Sequence, residues 1–280
     1  MSALEISWYL LIGVMLVVYS ILDGFDLGVG IWYPFAKDER TRGAMFNAIG
    51  PFWDGNEVWL LGAGACLFAA FPPAYATIFS GFYLALMLVL FALIVRAVSI
   101  EFRSHAETPI ARRGWGMGFA LGSLLPALLF GVALGNLLRG IPLNAHGDFL
   151  GSFFSLLNVY ALFIGAVSLV MLAAHGALYF TMKTADELAE RGRAWARAAL
   201  AAYLPLAVTA IIVSAATQPH LLANYLRLPL LWALPALTIA AILFAIAANR
   251  AGRDTAAFLA SSASIALLLL TAVAGLFPHL

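Results

Sequence analysis

Five carboxylates, Asp23, Asp26, Asp54, Glu57 and Glu101, stand where the surrounding sequence is apolar. Asp23 and Asp26 interrupt the run YSILDGFDLGVGIWYPF (Tyr19 to Phe35), and Asp54 and Glu57 open FWDGNEVWLLGAG. Each pair is spaced i, i+3 and therefore shares one helix face. A carboxylate at mid-helix costs about 2.5–3.5 kcal/mol to insert into a bilayer. Such groups usually face a bundle interior or a wet cavity, where they carry protons or ions. The plainer reading for Asp54 and Glu57 is stabilisation of a helix N-terminus through its dipole. For Glu101 it is pairing with Arg103 or contact with water. Trp53 and Trp59 flank the second acidic pair, where tryptophan commonly anchors a helix at the membrane interface.

Other chemistry is sparse. His175, in LAAHGALYF, is a candidate haem ligand or proton relay, against the simpler reading of a hydrogen-bonded structural histidine. His105, His146, His220 and His279 fall in loops or at ends, so no second histidine stands at matching depth for a bis-His haem site. The single cysteine, Cys66, excludes a disulfide framework and a Cys-ligated zinc or iron–sulfur centre. No metal site is expected. Gly28 and Gly30 do not form a nucleotide-binding loop, since no strand precedes them; with Gly24 they suit close helix packing.

The elements that hold these residues follow from composition. The chain is 64% apolar and 10% charged, against about 25% charged in soluble domains. Its net charge of +1 points to no polyanionic partner and no nucleic acid. A crossing helix needs about 20 apolar residues. Charges and Gly/Pro breaks divide the chain into eight such stretches, near 6–33, 51–71, 76–100, 114–138, 153–181, 197–217, 229–249 and 256–278. FPPAYA (Phe71 to Ala76) splits the charge-free stretch Val58 to Val95 into a tight hairpin. The expectation is an all-α polytopic membrane protein forming one transmembrane domain over 1–280. KTADELAERGRAWAR reads as a helical extension into solvent. MSALEISWYL lacks a basic n-region and cleavage site, so the first run is expected to stay as an anchor.

Basic residues predict orientation. Thirteen of fifteen, Arg96 and Arg103 among them, flank the loops after the first, third, fifth and seventh stretches; only Arg139 and Arg227 lie on the other side. The first side is expected in the cytoplasm and the N-terminus and Leu280 outside. The five carboxylates then gather at the cytoplasmic ends of three consecutive helices.

LDGFDLGVG, FWDGNEVWL, LFAAFPPAYA, SGFYLALML, EFRS, GVALGNLLRGIP, HGALYFTMKT and PLLWALPAL follow one another along the whole chain. In that order they resemble subunit II of cytochrome bd-type quinol oxidases. The resemblance implies a haem-free subunit of a respiratory quinol:oxygen oxidoreductase in the bacterial plasma (inner) membrane, an electron-transport complex surrounded by membrane lipid. Its partner, subunit I, carries haem b and haem d, oxidises quinol and reduces oxygen to water; a small single-helix accessory subunit also accompanies some members. Subunit II is implied to stabilise subunit I and to supply part of a cytoplasmic proton path, and in some members to hold an oxygen route or a structural quinone. The path is assigned to Glu101 at the entrance, then Asp54, with Asp23 or Asp26 deeper and Glu57 beside them. Trp53 and Trp59 are assigned to the oxygen route or an interface. Family chains usually continue into a ninth crossing, and this sequence stops at LFPHL, so that helix is expected to be missing. The rival class is a proton-coupled transporter, which also uses intramembrane acids. Transporters often repeat their helices in two halves, and no second matching set of acids occurs here.

Overall fold

The computed structural model describes residues 2–278, and His279 and Leu280 lie outside them. Eleven α-helices account for nearly all of it. They are α1 (Ala3–Trp32), α2 (Glu39–Ile49), α3 (Trp53–Ala70), α4 (Pro72–Gly81), α5 (Tyr83–Ser104), α6 (Pro109–Arg139), α7 (Val159–Lys183), α8 (Asp186–Thr217), α9 (Ala223–Arg227), α10 (Ala233–Arg250) and α11 (Asp254–Leu276).

The starts of these helices are written in local chemistry. Ser2 and Glu5 form a reciprocal capping box at α1. Asp38, Thr108 and Asn158 each accept a backbone N–H of the first turn, at 2.8, 3.2 and 2.9 Å. Pro109 opens α6, where its missing N–H costs nothing.

Among the described residues seven helices are long and apolar enough to cross a membrane: α1, α5, α6, α7, α8, α10 with the short turn before it, and α11. The remaining expected crossing, the second stretch at 51–71, corresponds to α3, whose 18 residues include Asp54, Asn56 and Glu57 in the first two turns and so fall short in hydropathy. Three expected boundaries change. The third stretch is two helices, α4 and α5, meeting at Phe82. The fifth stretch begins with a 3-10 turn (Phe153–Leu156) before α7. The predicted extension at 183–197 is helical, and from Asp186 it runs unbroken into α8. The chain does break at Phe71, where α3 gives way to α4, but the hairpin is looser than expected, because α3 packs mainly along α1 and α5 along α6.

α1 and α7 form the centre, with α6, α8 and α11 around them and α10 outside, against α8 and α11. Their crossing requires glycine. A Cβ on Gly28 would lie 2.0 Å from the Leu172 carbonyl oxygen and 2.7 Å from the Gly176 backbone. At the same level Phe25 stacks on Tyr179, with ring centroids 3.8 Å apart.

The two ends of the bundle are chemically distinct. At one end Arg103 bonds Glu39 at 2.8 Å, Arg191 bonds Asp38 at 2.5 Å, and Arg193 bonds Asp254 at 2.6 Å. The hydrogen bond from Arg191 is the main reason the Asp38 carboxyl is held down at about 2. At the other end Tyr9 donates to the Val273 carbonyl and Thr77 to that of Gly147. The charge-rich loops after α1, α5, α7 and α10 thus lie together, as their basic residues predict.

Candidate functional site: a buried carboxylate–arginine cluster

Asp23 and Asp26 are both fully buried. They lie one turn apart on α1, facing α3 and α5. The group that meets them is Arg96 of α5, itself fully buried. Its Nη2 donates to Asp23 Oδ1 at 2.5 Å and its Nη1 to Asp23 Oδ2 at 3.2 Å, a two-pronged pairing. Nη1 also donates to Glu57 Oε1 of α3 at 2.9 Å, and Nη2 lies 3.8 Å from Asp26 Oδ2. Asn56, next to Glu57, donates to Asp26 Oδ2 at 2.8 Å and to the Leu22 carbonyl at 3.2 Å. One guanidinium is therefore shared by three carboxylates from two other helices.

The position of Arg96 depends on α6. A Cβ on Gly122 would come within 2.8 Å of the Arg96 backbone nitrogen, so glycine lets α5 settle deep enough to aim the side chain at α1. Three fully buried polar atoms in this group, Tyr19 Oη, Asp26 Oδ1 and Arg96 Nε, have no hydrogen-bond partner in the protein. Buried polar atoms are normally paired, with water where protein does not serve.

Not every predicted acid joins the cluster. Glu57 does, with its side chain 25% exposed. Asp54 is exposed in the first turn of α3 and accepts only the Gly55 N–H, at 2.8 Å. That geometry fits the helix-terminus reading. Glu101 is exposed, and Arg103 turns from it to Glu39, to the Tyr33 hydroxyl at 3.2 Å and to the Phe46 ring at 4.8 Å. Trp53 packs half-buried against the cluster of Met45, Ala48 and Ile49, whereas Trp59 is 38% exposed.

Sequence reading missed Arg96 as a site residue. Counted as a loop-flanking charge, it is instead wholly interior, and the asymmetry of basic residues stands without it. The available signal was compensation: three acids set into apolar helices require a cation, and Arg96 lies inside α5 rather than at its end. Asn56 and Tyr19 gave no such signal.

His175 is buried, with Nδ1 2.6 Å from Ser261 Oγ and Nε2 3.0 Å from the Ile21 carbonyl oxygen. Its ring stacks on Phe258 at 4.8 Å. Both nitrogens are engaged, so the residue does not suit a haem iron. Among the described residues no three His, Cys, Asp or Glu side chains gather as a metal-binding group. A separate, largely apolar cavity of about 360 Å³ lies between α1, α6, α7, α8 and α11, with Tyr19 and Gly24 in its wall.

A many-helix membrane bundle with an ion-paired cluster sealed in its interior, and among the described residues no metal-binding group of His, Cys, Asp or Glu, defines a class: a polytopic helical membrane protein. The sequence matches the family described as cytochrome bd terminal oxidase subunit II over residues 4–280. It is 39% identical to the cytochrome bd-I ubiquinol oxidase subunit 2 of Escherichia coli K12, over 99% of this chain and 81% of that protein. It is 37% identical to the cytochrome bd ubiquinol oxidase subunit 2 of Bacillus subtilis, over 70% of this chain and 59% of that one. The fold matches a chain of the bd oxidase from Geobacillus thermodenitrificans with a TM-score of 0.82, covering 100% of this chain and 86% of that one at 17% identity. The chain belongs to the cytochrome bd terminal oxidase subunit II family, and is a multi-pass protein of the bacterial inner membrane.

His175→Phe keeps the stack on Phe258 and loses two hydrogen bonds, roughly 0.5–1.5 kcal/mol each. The expected result is a lower Tm for the assembled oxidase with haem absorption unchanged in position. A displaced haem band would show that His175 does ligate iron.

Proposed function

We propose that this chain, as subunit II of a quinol-oxidising, oxygen-reducing complex, carries protons through the Arg96 cluster from the cytoplasm toward the haems of subunit I. The observation that supports this most directly is the buried cluster, in which three carboxylates share one arginine. Reducing oxygen to water consumes protons, and drawing them from inside separates charge across the membrane. In this reading the end of the bundle rich in arginine faces the cytoplasm, and the N-terminus lies outside. α3 then serves as a further crossing: Arg103, at the end of α5, bonds Tyr33 just after α1 and Glu39 at the start of α2, so the chain must return between them.

The exposed carboxylates Glu101 and Asp54 stand at the cytoplasmic entrance. Asp26, bonded to Asn56 and carrying an unpaired oxygen, takes the proton inward, and Asp23 and Glu57 lie on either side of Arg96. A guanidinium stays charged, so Arg96 holds the carboxylates rather than passing protons. The unpartnered atoms Tyr19 Oη and Asp26 Oδ1 are suited to water, which a relay needs where side chains do not touch. Haem b and haem d belong to subunit I in this reading; Trp59 borders an oxygen route or a subunit interface, and the apolar cavity has the character of a site for a quinone or lipid chain.

Asp26→Asn in the assembled complex tests the path. It preserves shape and removes the exchangeable proton. Quinol-driven oxygen uptake is expected to fall roughly tenfold or more, the scale of losing a proton-transfer group, with haem content retained. Asp54→Asn, at the exposed entrance, is expected to slow uptake less. Full activity in Asp26→Asn removes that residue from the path, and loss of haem in it makes its role structural.

A further inference from the structure

We propose that the corner where α8, α10 and α11 meet at the charge-rich end of the bundle binds an anionic phospholipid, with Arg197, Arg250 and Arg253 holding its phosphate. The site stands on the membrane character of the chain and goes beyond its reading as an oxidase subunit.

Several arginines at this end have carboxylate partners. Arg42 and Arg103 bond Glu39, Arg191 bonds Asp38, and Arg193 bonds both Glu190 and Asp254. Arg197, Arg250 and Arg253 are exposed, and among the described residues no carboxylate or hydrogen-bond acceptor meets their guanidinium groups. The fold gathers them. Asn249 donates to the Arg193 carbonyl at 3.3 Å, which fixes the end of α10 beside α8. The chain then turns at Gly252, whose φ is 68°, and the Arg253 amide bonds the Ala248 carbonyl at 2.9 Å. Arg250 and Arg253 thus flank one tight turn, and the residue after it, Asp254, is the one bonded to Arg193. Arg197 stands one turn along α8 from Arg193, on the same face. The acids of this corner, Glu190 and Asp254, both lie on Arg193, so the positive charge of the other three has no counterion among the described residues.

Two features favour a lipid over a soluble anion. The first is depth. α8 enters the bilayer from this end, and at 1.5 Å per residue Arg197 lies about 6 Å further in than Arg193. That places it where its long side chain reaches the headgroup layer. The second is what lies inward of the arginines. Ala198 and Ala201 on α8, and Leu243, Phe244 and Ala247 on α10, are all exposed. Alanines beside Leu243 and Phe244 leave apolar room for acyl chains, which a free phosphate does not have. The guanidinium fork matches phosphate oxygens two at a time, and basic clusters next to a crossing helix attract anionic lipid. Orientation asks only for positive charge at this end; it does not ask for three unpaired arginines on one corner.

The test is native mass spectrometry of the chain, purified with the subunits that accompany it, stripped of lipid and titrated with phosphatidylglycerol. One tightly held phosphatidylglycerol is expected. Arg197→Gln, Arg250→Gln and Arg253→Gln together are expected to weaken it roughly a hundredfold, from about fivefold for each arginine near a membrane surface. Lys37→Gln, Arg40→Gln and Arg113→Gln remove the same charge from exposed positions at the same end, and are expected to leave the bound lipid in place. Equal weakening in both triple variants reduces the effect to diffuse charge, and undiminished binding in the first removes the site; either result overturns the proposal. Phosphatidylcholine held as tightly as phosphatidylglycerol also overturns it, because the headgroup charge would then play no part.

Discussion

Arg96→Met is expected to abolish accumulation of the folded subunit. The methionine fills much of the same volume and removes the one cation that, among the described residues, contacts Asp23, Asp26 and Glu57. Removing one partner of a buried ion pair costs about 3–5 kcal/mol, because the other charge is left unpaired. Here two fully buried carboxylates and one partly buried carboxylate lose their cation at once. Native proteins hold only about 5–15 kcal/mol in total, so such a loss consumes much of the margin. Arg96→Lys keeps the charge but not the two-pronged fork that reaches Asp23 and Glu57 together, and should fall between. The measurement is the yield and Tm of purified complex by fluorescence-detected size exclusion. Replacing the whole group with apolar residues is the informative partner experiment. Buried ion pairs exchanged entirely for well-packed apolar side chains are often neutral or stabilising, so Arg96→Met with Asp23→Leu, Asp26→Leu and Glu57→Leu should recover much of the yield. Oxygen uptake should not return with it if the cluster carries protons. A single Arg96→Met chain that accumulates and melts like the native one would show that the pairing holds nothing together.

Gly28→Ala is expected to produce the second large effect, through shape instead of charge. The added methyl lies 2.0 Å from a carbonyl oxygen and 2.7 Å from the Gly176 backbone. Both neighbours are main chain, so no rotamer change can relieve the clash, and α1 must move away from α7. Overpacking of this kind costs about 1–3 kcal/mol or more. The displacement also carries Asp23 and Asp26 away from Arg96, so activity should fall further than stability. Gly13 supplies the control. A Cβ there meets nothing within 4 Å, and Gly13→Ala should be neutral or stabilise the helix by up to about 1 kcal/mol. Thermal melting of the three proteins side by side gives the answer; equal melting of Gly28→Ala and native chain would mean the helices are less tightly crossed than described.

Several elements could be read without coordinates because their causes are local. Apolar length marks a crossing helix, and the ends of α1, α2, α6 and α7 carry their own caps at Ser2, Asp38, Thr108 and Asn158. The pairing of Asp23 with Asp26 on one face follows from helical spacing alone. α3 was harder to read, since its acids lower the hydropathy that marks the other crossings. The break at FPPAYA was legible but the tightness of the hairpin was not, because a proline pair reports where a helix stops and says nothing of which neighbour the next helix will choose.

The amino-acid sequence by itself determined that this is a helical membrane protein, which loops share one side, and that acids lie inside its first helices, because bilayer thickness and the cost of a buried charge act on each segment separately. Tertiary structure alone decided which acids meet one another. It brought Asp23, Asp26 and Glu57 onto Arg96, left Asp54 and Glu101 outside, and closed both nitrogens of His175. The physical reason is that a guanidinium's partners depend on how α5 rolls against α6 at Gly122, and that contact is made between residues 26 positions apart with no shared local signal.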